Sequence, residues 1–397
     1  MNPYSILIFL SILVVISYGF DLFAKATKIP SVLMLLACGV GLQYLSAYFG
    51  FTFALPRVVL EIFGIIGLIL IVLEGSLDLE LSREKIPIIQ KSFLAALLIL
   101  VVSAISIAYI IQFTHHDLPF QQCLVNAIPL AVISSAIAIP SVSNLTSAKK
   151  EFIVYESTFS DILGIMIFNF AIQDNFAQTI SIFTFLWDLV LIIIVSVLGC
   201  ALLLFFINKI THHTKFFLIL AMLILIYSIS KIFHLSPLLL VLAFGLMLNN
   251  SHLIVTRRLR GIIKTEKLRE EVNLLKVITA ESAFLIRTFF FLLFGFSFEL
   301  AKLLDVELLF IGSLVITTLT LARLFYLRFI SRTSLFPELF VAPKGLITIL
   351  LFYSIPQKFL IPTFSEGILF FVIIVTGLIM LFGLQVSKQP VENVEDY

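Results

Sequence analysis

Ionisable side chains sit inside otherwise apolar stretches of this 397-residue chain, among them Glu156, Asp161, Glu281, Arg287, Arg323 and Lys344. A charge at the centre of a lipid-spanning helix costs on the order of 3 kcal/mol, so such a group faces a cavity or a partner of opposite sign. The first two acids lie in one run, Tyr155-Glu156-Ser157-Thr158-Phe159-Ser160-Asp161-Ile162-Leu163-Gly164. On a helix Glu156 and Ser160 share a face, and Asp161 points about 140° away from Glu156. One carboxylate is thus free to pair with an arginine while the other meets a transported ion. A carboxylate held beside a cation stays ionised, whereas a buried one without a partner takes up a proton more readily. The expected pair is Glu156 with Arg323, which leaves Asp161, with Ser157 and Ser160 beside it, to bind a proton or a transient metal cation. The plainer reading, that these charges only brace helices, fits Glu156 and Arg323 best and Asp161 least.

The elements that must position these groups are membrane helices. Only 13% of residues are charged against 60% hydrophobic, where a soluble domain carries about a quarter charged residues. Apolar segments of about 20 residues, the length a bilayer core demands, follow one another with short polar interruptions. Thirteen spans are expected, near 3–22, 29–49, 57–79, 92–113, 119–146, 152–174, 180–209, 215–232, 235–252, 277–298, 308–331, 338–356 and 363–386. The first twenty residues lack a basic n-region and a small-residue cleavage site, and read as a retained helix. The fold class is therefore all-α and polytopic.

With the N-terminus outside, nineteen of the 26 Lys and Arg fall in inner loops and four in outer ones, the remaining three being Arg287, Arg323 and Lys344 within spans. This bias toward the cytoplasm supports that orientation and a cytoplasmic C-terminus. The basic stretch 253–276 reads as an amphipathic cytoplasmic connection. At about 1.5 Å of rise per residue, Asp161, Arg287 and Arg323 lie about 15, 16 and 12 Å from the cytoplasmic ends of their helices, level enough to form one site. Glu74 and Asp78 read as cap or loop contacts, and Glu281 as a bridge to a loop lysine. Lys344 either snorkels to the inner surface or offsets a negative helix end.

Two interruptions stand out. Ser134 to Pro140 breaks the fifth span, with Ile139 and Pro140 expected at the break. Ala342-Pro343-Lys344-Gly345 breaks the twelfth, at Pro343 and Gly345. They lie seven places apart, an odd number, so the two helices run in opposite directions, the pointer to an inverted-repeat transporter with its site at the broken helices. The expected division is a first repeat over 1–174, a linker helix over 175–214, a second, inverted repeat over 215–386 and a short cytoplasmic tail over 387–397. The segments Leu73-Glu74-Gly75-Ser76-Leu77 and Leu293-Phe294-Gly295-Phe296-Ser297 echo each other weakly across the halves.

The run Glu156-Ser157 followed by Ser160-Asp161 resembles the signature helix of NhaP-type sodium/proton exchangers in the cation:proton antiporter superfamily. Leu73-Glu74-Gly75-Ser76-Leu77-Asp78-Leu79 resembles a further segment of that family, as do Arg287-Thr288-Phe289-Phe290-Phe291 with Gly295, Arg323, and Ala342-Pro343-Lys344-Gly345. The resemblance implies a homodimer whose core of crossing broken helices moves against a dimerisation unit. It also implies that Asp161 binds cation and proton in turn. Two positions depart from the pattern: Ser160 stands where Asn is usual, and Ala138-Ile139-Pro140 where Thr-Asp-Pro is expected.

The function expected is exchange of Na⁺ or K⁺ for protons, electroneutral because Asp161 is the one exchangeable charge, in a bacterial inner membrane. The alternatives are a potassium-efflux or channel-like conductor and an organic-anion symporter that uses Arg287 and Arg323. For the first, the regulatory nucleotide-binding domain typical of efflux systems is not expected, since eleven residues follow Val386. An enzyme is not expected: there is no HExxH, and His115, His116, His212 and His213 fall in loops. Cys38, Cys123 and Cys200 form no CxxC pair, so no zinc site or disulfide framework is expected. No cofactor and no nucleic-acid partner are implied.

Overall fold

The computed structural model describes residues 3–27, 29–49, 57–79, 83–142, 145–173, 216–232, 237–250, 265–298, 305–331, 335–361 and 366–386, with a few isolated positions between them. Every regular element among them is helical. In chain order these are α1 (Pro3–Thr27), α2 (Ser31–Tyr48), α3 (Arg57–Asp78), α4 (Ile86–Thr114), α5 (Phe120–Ala131), α6 (Ser135–Ser141) and α7 (Ser147–Ala171), followed by α8 (Phe216–Ile232), α9 (Pro237–Asn249), α10 (Thr265–Ser297), α11 (Val306–Phe325), α12 (Leu346–Tyr353) and α13 (Glu366–Val386). Six helical stretches among the described residues are long and apolar enough to cross a membrane, Phe120–Ser141 among them. The tail 387–397 and, apart from isolated positions, the expected span at 180–209 lie outside the described residues, as does the first half, 253–264, of the expected connection 253–276. Its remainder, expected as a loop, is helical: α10 begins at Thr265, twelve residues ahead of the expected start at 277.

Local sequence sets several boundaries. Pro119 precedes α5 and Pro30 precedes α2, positions where a missing N–H costs nothing. The Asp305 carboxylate accepts from the Glu307 amide at 3.0 Å and caps α11, as short acceptors do at helix starts. The C-terminal end of α11 continues into a π-helical turn, Tyr326–Ser331.

Packing partners recur in exchanged pairs. Helix α2 lies along α10, and α3 lies along α9; α4 packs on α7, and α11 on α13; α1 meets α2, and α8 meets α9. In the expected span numbering, each second pair is the first with every span replaced by its partner seven places on, although the close packing of α4 on α5 has no such counterpart among the described helices. Glycines permit the closest of these approaches. A Cβ on Gly39 would collide with the Leu292 carbonyl, and one on Gly295 with the Leu36 carbonyl, so α2 and α10 touch backbone to backbone. On α9 a Cβ at Gly245 would meet Ser76 and Leu73 of α3.

The fifth span breaks between α5 and α6. Val132 (φ −65°, ψ 135°) and Ser134 (φ −83°, ψ 114°) are extended, and Val341–Gly345 is likewise non-helical ahead of α12. The two extended segments touch: the Ser134 amide donates to the Pro343 carbonyl at 2.8 Å. A Cβ at Gly345 would lie 2.6 Å from Ser134 Oγ and 2.7 Å from Ile137 Cδ1, so the crossing needs glycine for space. Ile139 and Pro140, expected at the break, lie instead inside α6. The helix opens at 132–134 because side chains of α7 and the Pro343 carbonyl take up the amides there.

Candidate functional site

The break exposes backbone amides to α7. Ser160 Oγ accepts from the Ile133 amide at 2.9 Å, and Asp161 Oδ2 accepts from the Ser135 amide at 3.1 Å. Unpaired backbone donors are costly in a lipid-facing protein, and these two α7 oxygens satisfy them. A Cβ at Gly164, one turn on, would strike the Val132 side chain, so α7 lies close against the end of α5.

Asp161 is 6% exposed, and its Oδ1 has no hydrogen-bond partner among the described residues. A small, mainly apolar cavity beside it is lined by Asp161, Thr158, Ser135 and Ser76 among side chains such as Ile71, Ile165 and Leu242. Thr158 donates its hydroxyl to the Val154 carbonyl at 2.8 Å, and Ser76 donates to the Leu73 carbonyl at 2.7 Å. With their protons spent on their own helices, both oxygens retain lone pairs. The Ser157 hydroxyl turns back to the Val154 carbonyl at 3.2 Å, and Ser157 does not line the cavity. A buried carboxylate oxygen beside hydroxyls is a hard oxygen donor set, suited to an alkali cation or a proton.

Glu156 meets Arg323 in a two-bonded fork, Nη1 to Oε1 at 2.6 Å and Nη2 to Oε2 at 2.8 Å, with both residues 1% exposed. This geometry is the strongest that a carboxylate and a guanidinium form. Arg323 Nε also donates to the Glu338 carbonyl at 2.8 Å, and the Glu338 carboxylate lies 3.7 Å from Lys149 Nζ. Lys344, 2% exposed, does not reach the surface. Its Nζ donates to the Ala131 carbonyl at 2.8 Å, at the negative C-terminal end of α5, where a cation is favoured.

Three positions depart from the sequence reading. Arg287 does not join Asp161: its Nη2 lies 3.2 Å from Glu74 Oε1, so Glu74 is an ion-pair partner rather than a cap. Depth along a helix leaves its rotation open, and α10 packs on α2 and α3 rather than α7. Glu281 accepts from the Tyr18 hydroxyl at 2.7 Å in place of a loop lysine. The side chain of Asp78 is not among those described. The residue that meets Asp161 at the break is Ser135, while Ala138-Ile139-Pro140, where the resemblance expects Thr-Asp-Pro, lie inside α6. The sequence reading missed Ser135, Thr158 and Ser76; the Ser134-Ser135 pair in an apolar run was the available signal for the first.

Apolar helices in exchanged packing pairs, with two broken spans crossing beside a buried carboxylate, define a polytopic membrane transporter rather than an enzyme. The model of the transmembrane sodium/hydrogen exchanger family matches residues 9–386, and the chain belongs to that family, whose class of activity is cation/proton exchange. The fold is similar to that of MjNhaP1, a sodium proton antiporter from Methanocaldococcus jannaschii. Its structure at pH 8 matches with a TM-score of 0.71 and 20% identity, over 98% of this chain and 99% of that one. An electron-microscopy map of the same antiporter matches with a TM-score of 0.67 and 19% identity, over 98% and 96%. No curated protein matches the chain in sequence.

Proposed function

We propose that the protein exchanges Na⁺ or K⁺ for protons, one for one, with Asp161 as the shared site. The observation that carries this reading is the asymmetry between the two α7 carboxylates. Both Glu156 oxygens are spent on Arg323, whereas Asp161 keeps one buried oxygen without a partner among the described residues and lines a cavity together with Thr158, Ser135 and Ser76. A bare carboxylate is costly to carry across an apolar barrier. The core therefore reorients only when a proton or a cation neutralises Asp161, and the two ions compete. Thr158 and Ser76 are the side-chain oxygens that complete the cation's shell, and Ser160 holds the break. In this reading the first and second repeats, 1–174 and 215–386, flank a linker over 175–214. The protein works as a homodimer in a bacterial inner membrane, with the N-terminus outside and the C-terminus cytoplasmic.

An organic-anion symporter needs an arginine available to a substrate carboxylate. Arg323 and Arg287 are both paired with the chain's own carboxylates, which weighs against it.

The test is proton flux in proteoliposomes with a pH-sensitive dye inside and Na⁺, K⁺ or Li⁺ added outside. Cation-driven pH change that disappears in Asp161→Asn, with the variant still folded, is the expected result. Exchange by Asp161→Asn at the wild-type rate sinks the proposal. A current that ignores the proton gradient identifies a channel instead.

A further inference from the structure

The two breaks are held by matching hydroxyls. In the fifth span, Ile133 lies two residues ahead of the first residue of α6, and its amide donates to Ser160 Oγ of α7 at 2.9 Å. In the twelfth span, Lys344 lies two residues ahead of the first residue of α12, and its amide donates to Thr376 Oγ1 of α13 at 3.1 Å. Thr376 in turn donates its own hydroxyl to the Val372 carbonyl at 2.7 Å, which fixes its oxygen as an acceptor. Both side chains are buried, at 1% and 7% exposure. They occupy equivalent places in the exchanged packing, one on the helix after each break.

We infer that Thr376 is a positioning residue for the ion site, acting from the half of the chain opposite Asp161. Its hydrogen bond fixes the backbone at Lys344, and two connections lead from there toward Asp161. The Lys344 ammonium reaches the Ala131 carbonyl, anchoring the end of α5. The carbonyl of the preceding residue, Pro343, accepts from the Ser134 amide, whose neighbour Ser135 donates to Asp161. Close packing does not replace this bond. A cavity of about 30 Å³ lies beside the break, lined by Thr376, Lys344, Arg323, Thr320, Ala342 and Ile133 among others, so an untethered Lys344 has room to shift. Thr376 itself touches no transported ion. Sequence reading passes over it because a threonine in the last span of an apolar chain reads as filler.

The inference rests on Asp161 being the exchange site, and the experiment separates the two. Thr376→Val, Thr376→Ser, Ser160→Ala and Asp161→Asn are reconstituted in parallel and assayed for cation-driven proton flux against cation concentration and pH. Thr376→Val is expected to raise the half-saturating cation concentration roughly three- to tenfold, the effect of losing one buried hydrogen bond. Its pH profile is expected to move in the same direction as that of Ser160→Ala. Thr376→Ser, which keeps the acceptor oxygen, is expected to stay near wild type. Thr376→Ala serves the same purpose should the valine variant fail to fold. Wild-type half-saturation and pH profile in both Thr376→Val and Thr376→Ala, with Asp161→Asn inactive, overturns this inference alone. A parallel fall in yield and maximal rate with unchanged half-saturation marks a packing residue and overturns it too. An active Asp161→Asn removes the ion-site reading and this inference with it.

Discussion

Glu156 and Asp161, five residues apart on α7, have opposite surroundings because a helix turns them to different neighbours. Glu156 faces α11 and is fully occupied by Arg323; Asp161 faces the break and is held by one amide. The Glu156–Arg323 pair explains a large, otherwise unfavourable burial of charge. Removing one partner from such a pair strands the other, at a cost of about 3–5 kcal/mol. Arg323→Gln is therefore expected to lower the thermal unfolding midpoint in detergent sharply, and Glu156→Gln with Arg323→Gln is expected to recover most of that loss. Equal destabilisation by the single and double variants would mean that the pair is not the source of the cost. Arg287 and Glu74, half-buried at 3.2 Å, are more solvated, and breaking that pair is expected to cost less in the same assay.

Among the elements, the crossing of the broken spans depends on the absence of a side chain at one position. Gly345 sits at φ −165°, an extended conformation open to any residue, so space rather than backbone freedom selects it. Gly345→Val is expected to push Ser134 and Ile137 away from α12 and thereby displace the Ser135 amide from Asp161. Proton flux is expected to fall at least tenfold, by the scale of one lost charge-assisted hydrogen bond, while the variant still elutes as folded protein. Retained flux would show that the crossing tolerates a side chain. The same spatial argument applies to α2 and α10, where Gly39 and Gly295 admit backbone contact. That contact lies away from Asp161, and a larger residue there is expected to reduce stability more than cation affinity.

For the whole molecule, the balance of buried charge determines what the membrane potential can drive. Glu156 and Arg323 cancel. Lys344 is tethered to the end of α5, and in the proposed function Asp161 is the group that binds either ion. On that proposal, replacing a proton by a monovalent cation leaves the charge of the site unchanged. Exchange in vesicles clamped at different potentials is therefore expected to proceed at one rate. A rate that rises with potential would mean that a second proton moves per cation, and Lys344 would be the group to replace next.

The amino-acid sequence alone determined the apolar, all-helical character of the chain, the bias of basic residues toward one set of loops, the two interrupted helices and the presence of Glu156, Asp161 and Arg323 within apolar segments. Composition and helical rise are local properties, legible without neighbours. Other features were decided only by the tertiary structure. Arg287 turns to Glu74 because rotation about a helix axis is set by what the helix packs against. The fifth span opens at Val132–Ser134 rather than at Pro140 because acceptors on α7 and on the extended segment ahead of α12 take up its amides there. Ser160 and Thr376 became matching anchors only when each was seen against the break it holds. A hydroxyl's role follows from the donor opposite it, and that donor lies 27 residues away in one case and 32 in the other.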